Sequence, residues 1–161
     1  MSTLRYVGFA KMPAYNANSS QEGITDYPLI SKEKSSKSFR ELLVGFFRSL
    51  VTILHETDVL YTDSALMENI ARWVASMSSS TLRPFRHTAT TVALSMEAAL
   101  VEVAKTLDAR ISKIAAQVDA EKNRKGKNKE RLAEFQKSLT QAEQYRQICQ
   151  DQITDFFETV F

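Results

Sequence analysis

Between Pro84 and Gly126 the sequence holds neither glycine nor proline, and after Gly126 it holds none as far as Phe161. Two such uninterrupted stretches point to helix, because glycine and proline are the residues that most readily end regular structure. Within the first stretch Phe85, Ala89, Val92, Met96, Ala99, Val103, Leu107, Ile111, Ile114 and Val118 recur in steps that alternate between three and four. That pattern is a coiled-coil seam. It predicts a helix over about 82–121, capped by Ser80 or Thr81, with Pro84 in the first turn where its missing N–H costs nothing. At ~1.5 Å per residue this helix is roughly 60 Å long, so its far end must project beyond a compact core.

The second stretch continues the rhythm through Leu132, Phe135, Leu139, Ala142, Tyr145, Ile148, Ile153, Phe156 and Val160, predicting a helix over about 128–161. A short link between two long heptad-like helices implies an antiparallel hairpin. The stripe is still running in "ITDFFETVF", which predicts that a further helix of a longer protein covers Phe156, Phe157 and Phe161.

Two shorter helices precede the hairpin. Phe39, Leu42, Leu43, Phe46, Phe47, Leu50, Val51 and Leu54 form one broad apolar stripe, predicting a helix over about 36–55 with Ser35 or Ser36 as its cap and a frayed end at "HETD". Asp63 is the expected cap of a helix over about 64–77, with Leu66, Met67, Ile70, Trp73, Val74 and Met77 inward. Residues 1–34 read as an irregular tail, rich in Asn, Ser and Gly over 13–23, that docks locally through Tyr27 and Leu29. The expectation is an all-α chain: a tail over 1–34, then a helical domain over 35–161 whose short helices pack on the base of the long hairpin.

Most enzyme chemistry finds no foothold. There are two histidines, His55 and His87, and one cysteine, Cys149, with no cluster at metal-ligand spacing and no glycine-rich phosphate loop. The expectation is no catalytic residue, no metal and no cofactor. Cys149 reads as a small buried hydrophobe, and His55 as favouring the C-terminal dipole of its helix. A single cysteine excludes an internal disulfide and suits an intracellular chain. No apolar run approaches the length of a membrane span, and the N-terminus lacks the apolar core of a secretory signal, so neither a membrane nor a small-molecule substrate is expected.

Charge is local. The formal net charge is +2 overall, yet "EKNRKGKNKER" at 121–131 carries six cations against two Glu, leaving the rest of the chain slightly negative. Lys122, Arg124, Lys125, Lys127, Lys129 and Arg131 are dense enough for a phosphate footprint, and without interleaved aromatics they would read no base. The competing reading is that they only solubilise an exposed tip. Lys105, Arg110 and Lys113 could extend the surface along the first long helix. A second unusual cluster, Arg83, Arg86 and His87, crowds the first turn of that helix, where positive charge is disfavoured. Pairing with an acid of a neighbouring helix is the expected compensation, and an anion or partner site is the alternative.

"SSSTLRPFRHTATTVAL" resembles the segment that characterises the stromal antigen (stromalin, or STAG) family of cohesin subunits. The run Arg83, Phe85, Arg86, His87 and Thr88 carries the resemblance, with "DYPL" at 26–29, the Phe-rich first helix and the basic hairpin turn in similar order and spacing. It covers about residues 26–161. It implies the N-terminal part of a large HEAT-type helical-repeat protein that attaches to the kleisin subunit, helps load the cohesin ring on chromatin and contacts DNA in the nucleus. SMC subunits and the cohesin loader are further implied partners of the full-length protein. For this chain it implies sequence-independent contact with double-stranded DNA through the 121–131 cations, a structural role for the 83–88 run, and a function in sister chromatid cohesion. A different class of function is a helical protein-interaction module, in which the apolar seam or the end of the last helix docks another protein.

Overall fold

A computed structural model describes residues 26–160 apart from Lys125 and Lys127, and apart from the side chain of Ser35. Among these residues every regular element is helical. After a 3₁₀ turn at Lys34–Ser36 come α1 (Phe39–Glu56), α2 (Val59–Thr62), α3 (Ser64–Ser78), α4 (Arg83–Lys122) and α5 (Lys129–Val160). The expected irregular tail lies outside the described residues over 1–25.

Helix α4 is the axis of the molecule. Its first half is buried on several sides, because α1, α3 and α5 all pack against it. Small residues allow this: Ala89, Ala93, Ala99 and Ala104 are each at most 5% exposed. The hydroxyls of Thr91 and Ser95 are satisfied inside the helix, donating to the carbonyls of His87 and Thr91. Larger side chains fill the space between helices, with Met96, Leu100, Leu107, Val51, Leu60, Cys149 and Phe156 in the deepest positions.

The continuous core reaches Leu107 on α4 and Cys149 on α5. Beyond Tyr145, which still packs against the edge of that core, the two helices run on as a bare antiparallel pair, in which Val118, Glu121 and Ala142 are the buried positions among the described residues. From Leu107 to Lys122 this arm extends roughly 22 Å at ~1.5 Å per residue. The 40-residue α4 and the 32-residue α5 thus form the expected hairpin, with a packed base and a projecting tip.

Cross-links between elements lie at the base. Arg146 donates to Asp108 across the hairpin at 2.8 Å. Tyr61 of α2 stacks on Tyr145 of α5 with centroids 3.9 Å apart and planes 9° from parallel. The side chain of Gln152 donates to the Leu60 carbonyl at 2.9 Å. His55 hydrogen-bonds the Tyr61 hydroxyl, so its partner is a side chain and not only the helix end. Cys149 is fully buried, as expected, and burial pushes its thiol pKa up to about 11.

Several expectations are corrected. Trp73 is 72% exposed, not core. Val74 takes the inward position on α3, and one residue along a helix turns the side chain by about 100°. The α1 stripe is too broad for what it meets: Val51 and Leu54 are buried, while Leu42 and Phe46 are 68% and 62% exposed. Phe85, placed on the seam, is half exposed, because the first turn of α4 lies beyond the start of the core. Phe156 needs no further helix to cover it, being 2% exposed against α4 and α3; Phe161 lies outside the described residues.

Helix α1 begins at Phe39 with Ser38 in the cap position, rather than at Ser35 or Ser36. The "HETD" end does not fray. Asp58 adopts a left-handed φ of 59°, one of the few side chains that tolerates it, and the chain turns straight into α2, a one-turn helix that the periodicity had not revealed. Asp63 does cap α3, accepting from the Leu66 N–H at 3.3 Å.

Candidate nucleic-acid interface

The tip of the hairpin is built by a carboxylate and an amide. Glu121, in the last turn of α4, is only 6% exposed despite its charge. Its Oε1 accepts from the backbone N–H of Asn128 at 3.3 Å, bridging the two sides of the turn. Asn128 then accepts on its own Oδ1 from the N–H groups of Glu130 and Arg131, at 3.0 and 3.2 Å, satisfying donors that the first turn of α5 would otherwise leave orphaned. Asn128 was expected at the start of this helix, but the bridging role of Glu121 was not. Its only sequence signal is a Glu placed across a short polar link from an Asn.

The cations stand on this frame. Lys122, Arg124, Lys129 and Arg131 are all exposed. Lys122 lies 3.9 Å from Asp119, and Arg124 lies 3.8 Å from Glu121. The Lys122–Asp119 contact joins two exposed side chains and is worth little, and the Arg124–Glu121 contact is long although its carboxylate is buried, so both cations can turn to another anion. Arg131 lies over the Phe135 ring, 5.4 Å from its centroid, a contact that holds the guanidinium while leaving it open to solvent. Lys125 and Lys127 lie outside the described residues. One helix ends where the other begins, so the macrodipole ends largely oppose each other, and the positive character of the tip comes from its side chains.

The proposed extension along α4 is weaker. Lys105 is committed to Glu102 at 2.8 Å, holding that carboxyl below its usual range. At about 100° per residue, positions 105, 113 and 110 are spread over an arc of about 140°, one side of the helix but wider than a narrow stripe.

The 83–88 run sits at the opposite end of α4, at the base. Arg86 turns back to donate from one Nη to the carbonyls of both Ser80 and Thr81, at 2.8 Å each. The Leu82 N–H donates to the Ser80 hydroxyl at 3.2 Å, closing the same polar turn. The Nδ1 of His87 hydrogen-bonds the Tyr27 hydroxyl at 2.8 Å, with the two rings edge to face. Neither Arg86 nor His87 uses the acid expected as its partner. Carbonyls of the preceding turn and a phenol take that place, so these two side chains find acceptors without a second ion. Arg83 and Phe85 are exposed and Thr88 is half-buried.

Among the described residues no group of three or more His, Cys, Asp or Glu is placed to hold a metal ion, and no helix is long and apolar enough to cross a membrane.

The STAG domain family model matches residues 25–138. Cohesin subunit psc3 of Schizosaccharomyces pombe is 35% identical over 136 residues, which is 84% of this chain and 14% of that protein. Cohesin subunit scc-3 of Caenorhabditis elegans is 34% identical over 148 residues, 88% of this chain and 13% of the relative. Cohesin subunit SA-3 of Homo sapiens is 32% identical over 136 residues, 84% of this chain and 11% of the relative. The chain therefore spans about a seventh or less of the length of these relatives.

Proposed function

The chain belongs to the STAG domain family, and on that premise we propose that it is a non-enzymatic DNA-contacting domain of a cohesin subunit, acting in sister chromatid cohesion in the nucleus. The relatives are named as cohesin subunits. Association with kleisin and SMC subunits, and with the cohesin loader, belongs to this reading through the longer protein of which such a domain is part. Residues 35–161 are the proposed working unit.

The observation that carries the reading is the exposure of the tip cations on an arm that leaves the core at Leu107 and Cys149. A duplex approaching the tip meets cations before it meets the body of the protein. Lys122 would exchange its loose contact with Asp119, and Arg124 its contact with Glu121, for phosphate oxygens, while Lys129 and Arg131 meet further phosphates and the sequence adds Lys125 and Lys127. Release of condensed counterions from the duplex then drives association. Contacts of this type fix position on the backbone and carry no base information.

Fluorescence anisotropy with two duplexes of equal length and unrelated sequence tests this. Equal affinities are expected, with loss of binding when all six tip cations are replaced by Ala. A sequence preference of more than about tenfold would contradict backbone recognition.

The second reading is a protein-interaction module, favoured by the outward faces of Leu42 and Phe46 on α1 and Phe157 on α5, the last 57% exposed. Light scattering separates the two. A strictly monomeric chain counts against an open apolar docking face, and concentration-dependent association that Leu42→Ser with Phe46→Ser abolishes supports it.

A further inference from the structure

Helices α3 and α5 leave a groove between them. It opens on a cavity of about 180 Å³ floored by Met67, Ala71, Ile148 and Phe156. Three carboxylates rim it: Glu68 from α3, and Asp151 and Asp155 from α5. The groove continues past Ala71 and Asp155 to Arg72, Glu158 and Thr159. From Ile148 to Thr159 it follows α5 for roughly 16 Å, or about three helical turns.

Two features of the groove are unsettled by the chain itself. Among the described residues none of the three rim carboxylates is engaged in an ion pair; Asp151 accepts only from the Gln147 amide at 2.8 Å. Gln152 lines the same cavity, and although its Nε2 is held by the Leu60 carbonyl, its Oε1 is buried with no hydrogen-bond partner. A buried acceptor without a donor is costly, and it gains when a donor reaches it.

We propose that the α3–α5 groove is a docking site for a basic amphipathic helix of a partner protein. Apolar side chains at helical spacing would enter over Ala71 and Ile148, the half-buried residues of the floor. Lys or Arg on its flanks would meet Glu68, Asp151 and Asp155. The sign of the rim selects the partner, because an acidic helix of the same apolar pattern would bring like charges together. This site is independent of the cationic tip: it lies on the base and selects for the opposite charge.

The test uses the full chain and a short fluorescein-labelled helical peptide of Leu and Lys, followed by anisotropy. A peptide with Glu in place of Lys, and one with Ser in place of Leu, serve as controls. The Leu–Lys peptide is expected to bind and both controls to fail. Glu68→Gln with Asp151→Asn and Asp155→Asn is expected to weaken binding roughly tenfold, since each exposed charge pair is worth a few-fold at most. Ala71→Leu, which fills the floor while leaving every charge in place, is expected to weaken it several-fold. Glu41→Gln with Glu134→Gln and Glu143→Gln makes the same charge change away from the groove and is expected to leave binding unchanged. Equal weakening by the two neutralised variants, or no binding of the Leu–Lys peptide, would overturn the proposal.

Discussion

The hydroxyl of Tyr27 and Nδ1 of His87 share a hydrogen bond of 2.8 Å across sixty residues of chain. That single contact ties the segment before α1 to the first turn of α4. Tyr27 is only 9% exposed, and the bond is partly withdrawn from water. A double-mutant cycle on Tyr27→Phe and His87→Ala, followed by urea denaturation, is expected to give a coupling of about 0.5–1.5 kcal/mol. Additive effects would show that the segment does not dock there.

Arg86 fastens the turn between α3 and α4 by two charge-assisted bonds to backbone carbonyls. Arg86→Ala is expected to cost about 1–2 kcal/mol and to lower the melting temperature by about 2–6 °C. Lys122→Ala or Lys129→Ala at the tip should each move it by less, because both side chains are exposed on the arm beyond the core. Equal melting temperatures would mean that the run at 83–88 serves something other than stability.

Trp73 is the only tryptophan of the chain, so intrinsic fluorescence reports on one place. With 72% of the residue exposed, its emission in the folded protein should lie near that of a solvated indole and shift little on unfolding. Trp73→Ala is expected to change stability by less than about 0.5 kcal/mol. A strongly blue-shifted native emission would contradict this placement of α3.

Glu97 lies in the hairpin with Oε2 buried and unpartnered, and burial raises its carboxyl pKa above the ordinary 4.5. The folded state therefore holds the proton more tightly than the unfolded state. Stability falls as pH rises from about 4.5 through the raised folded value, and the loss persists above it. Glu97→Gln is expected to raise the melting temperature at neutral pH by about 1–3 °C, and the gain should vanish in acid. A variant less stable than wild type at neutral pH would indicate that the carboxylate has a partner.

The architecture was legible wherever a helix meets neighbours along its whole length. The alternation of three and four between Ala89 and Val118 placed α4, and the same rhythm placed α5, because heptad patterns are imposed by the packing they create. Where a helix meets a neighbour on one side only, pattern outran structure. Leu42, Phe46 and Trp73 are apolar and correctly spaced, yet periodicity records which residues could be buried, not how wide an arc the neighbour covers. The base of the hairpin hid its contacts for a different reason. Arg86 and His87 stand out in the sequence because charge at a helix start needs compensation, but backbone carbonyls and a distant phenol leave no signature there. At the tip the density of cations was plain, while the bridge from Glu121 to Asn128 depended on the turn closing as it does.

If the tip clamps the DNA backbone, as proposed, binding must weaken steeply with salt. Duplex binding by the wild-type chain, measured by anisotropy across a salt series, should give a plot of log K against log salt with a slope of about −5 if all six cations meet phosphates. The variant with Ala at Lys122, Arg124, Lys125, Lys127, Lys129 and Arg131 should bind weakly, with a slope near zero. A wild-type slope near zero, or one that the six substitutions leave unchanged, would contradict the account and leave the tip as a solvated turn.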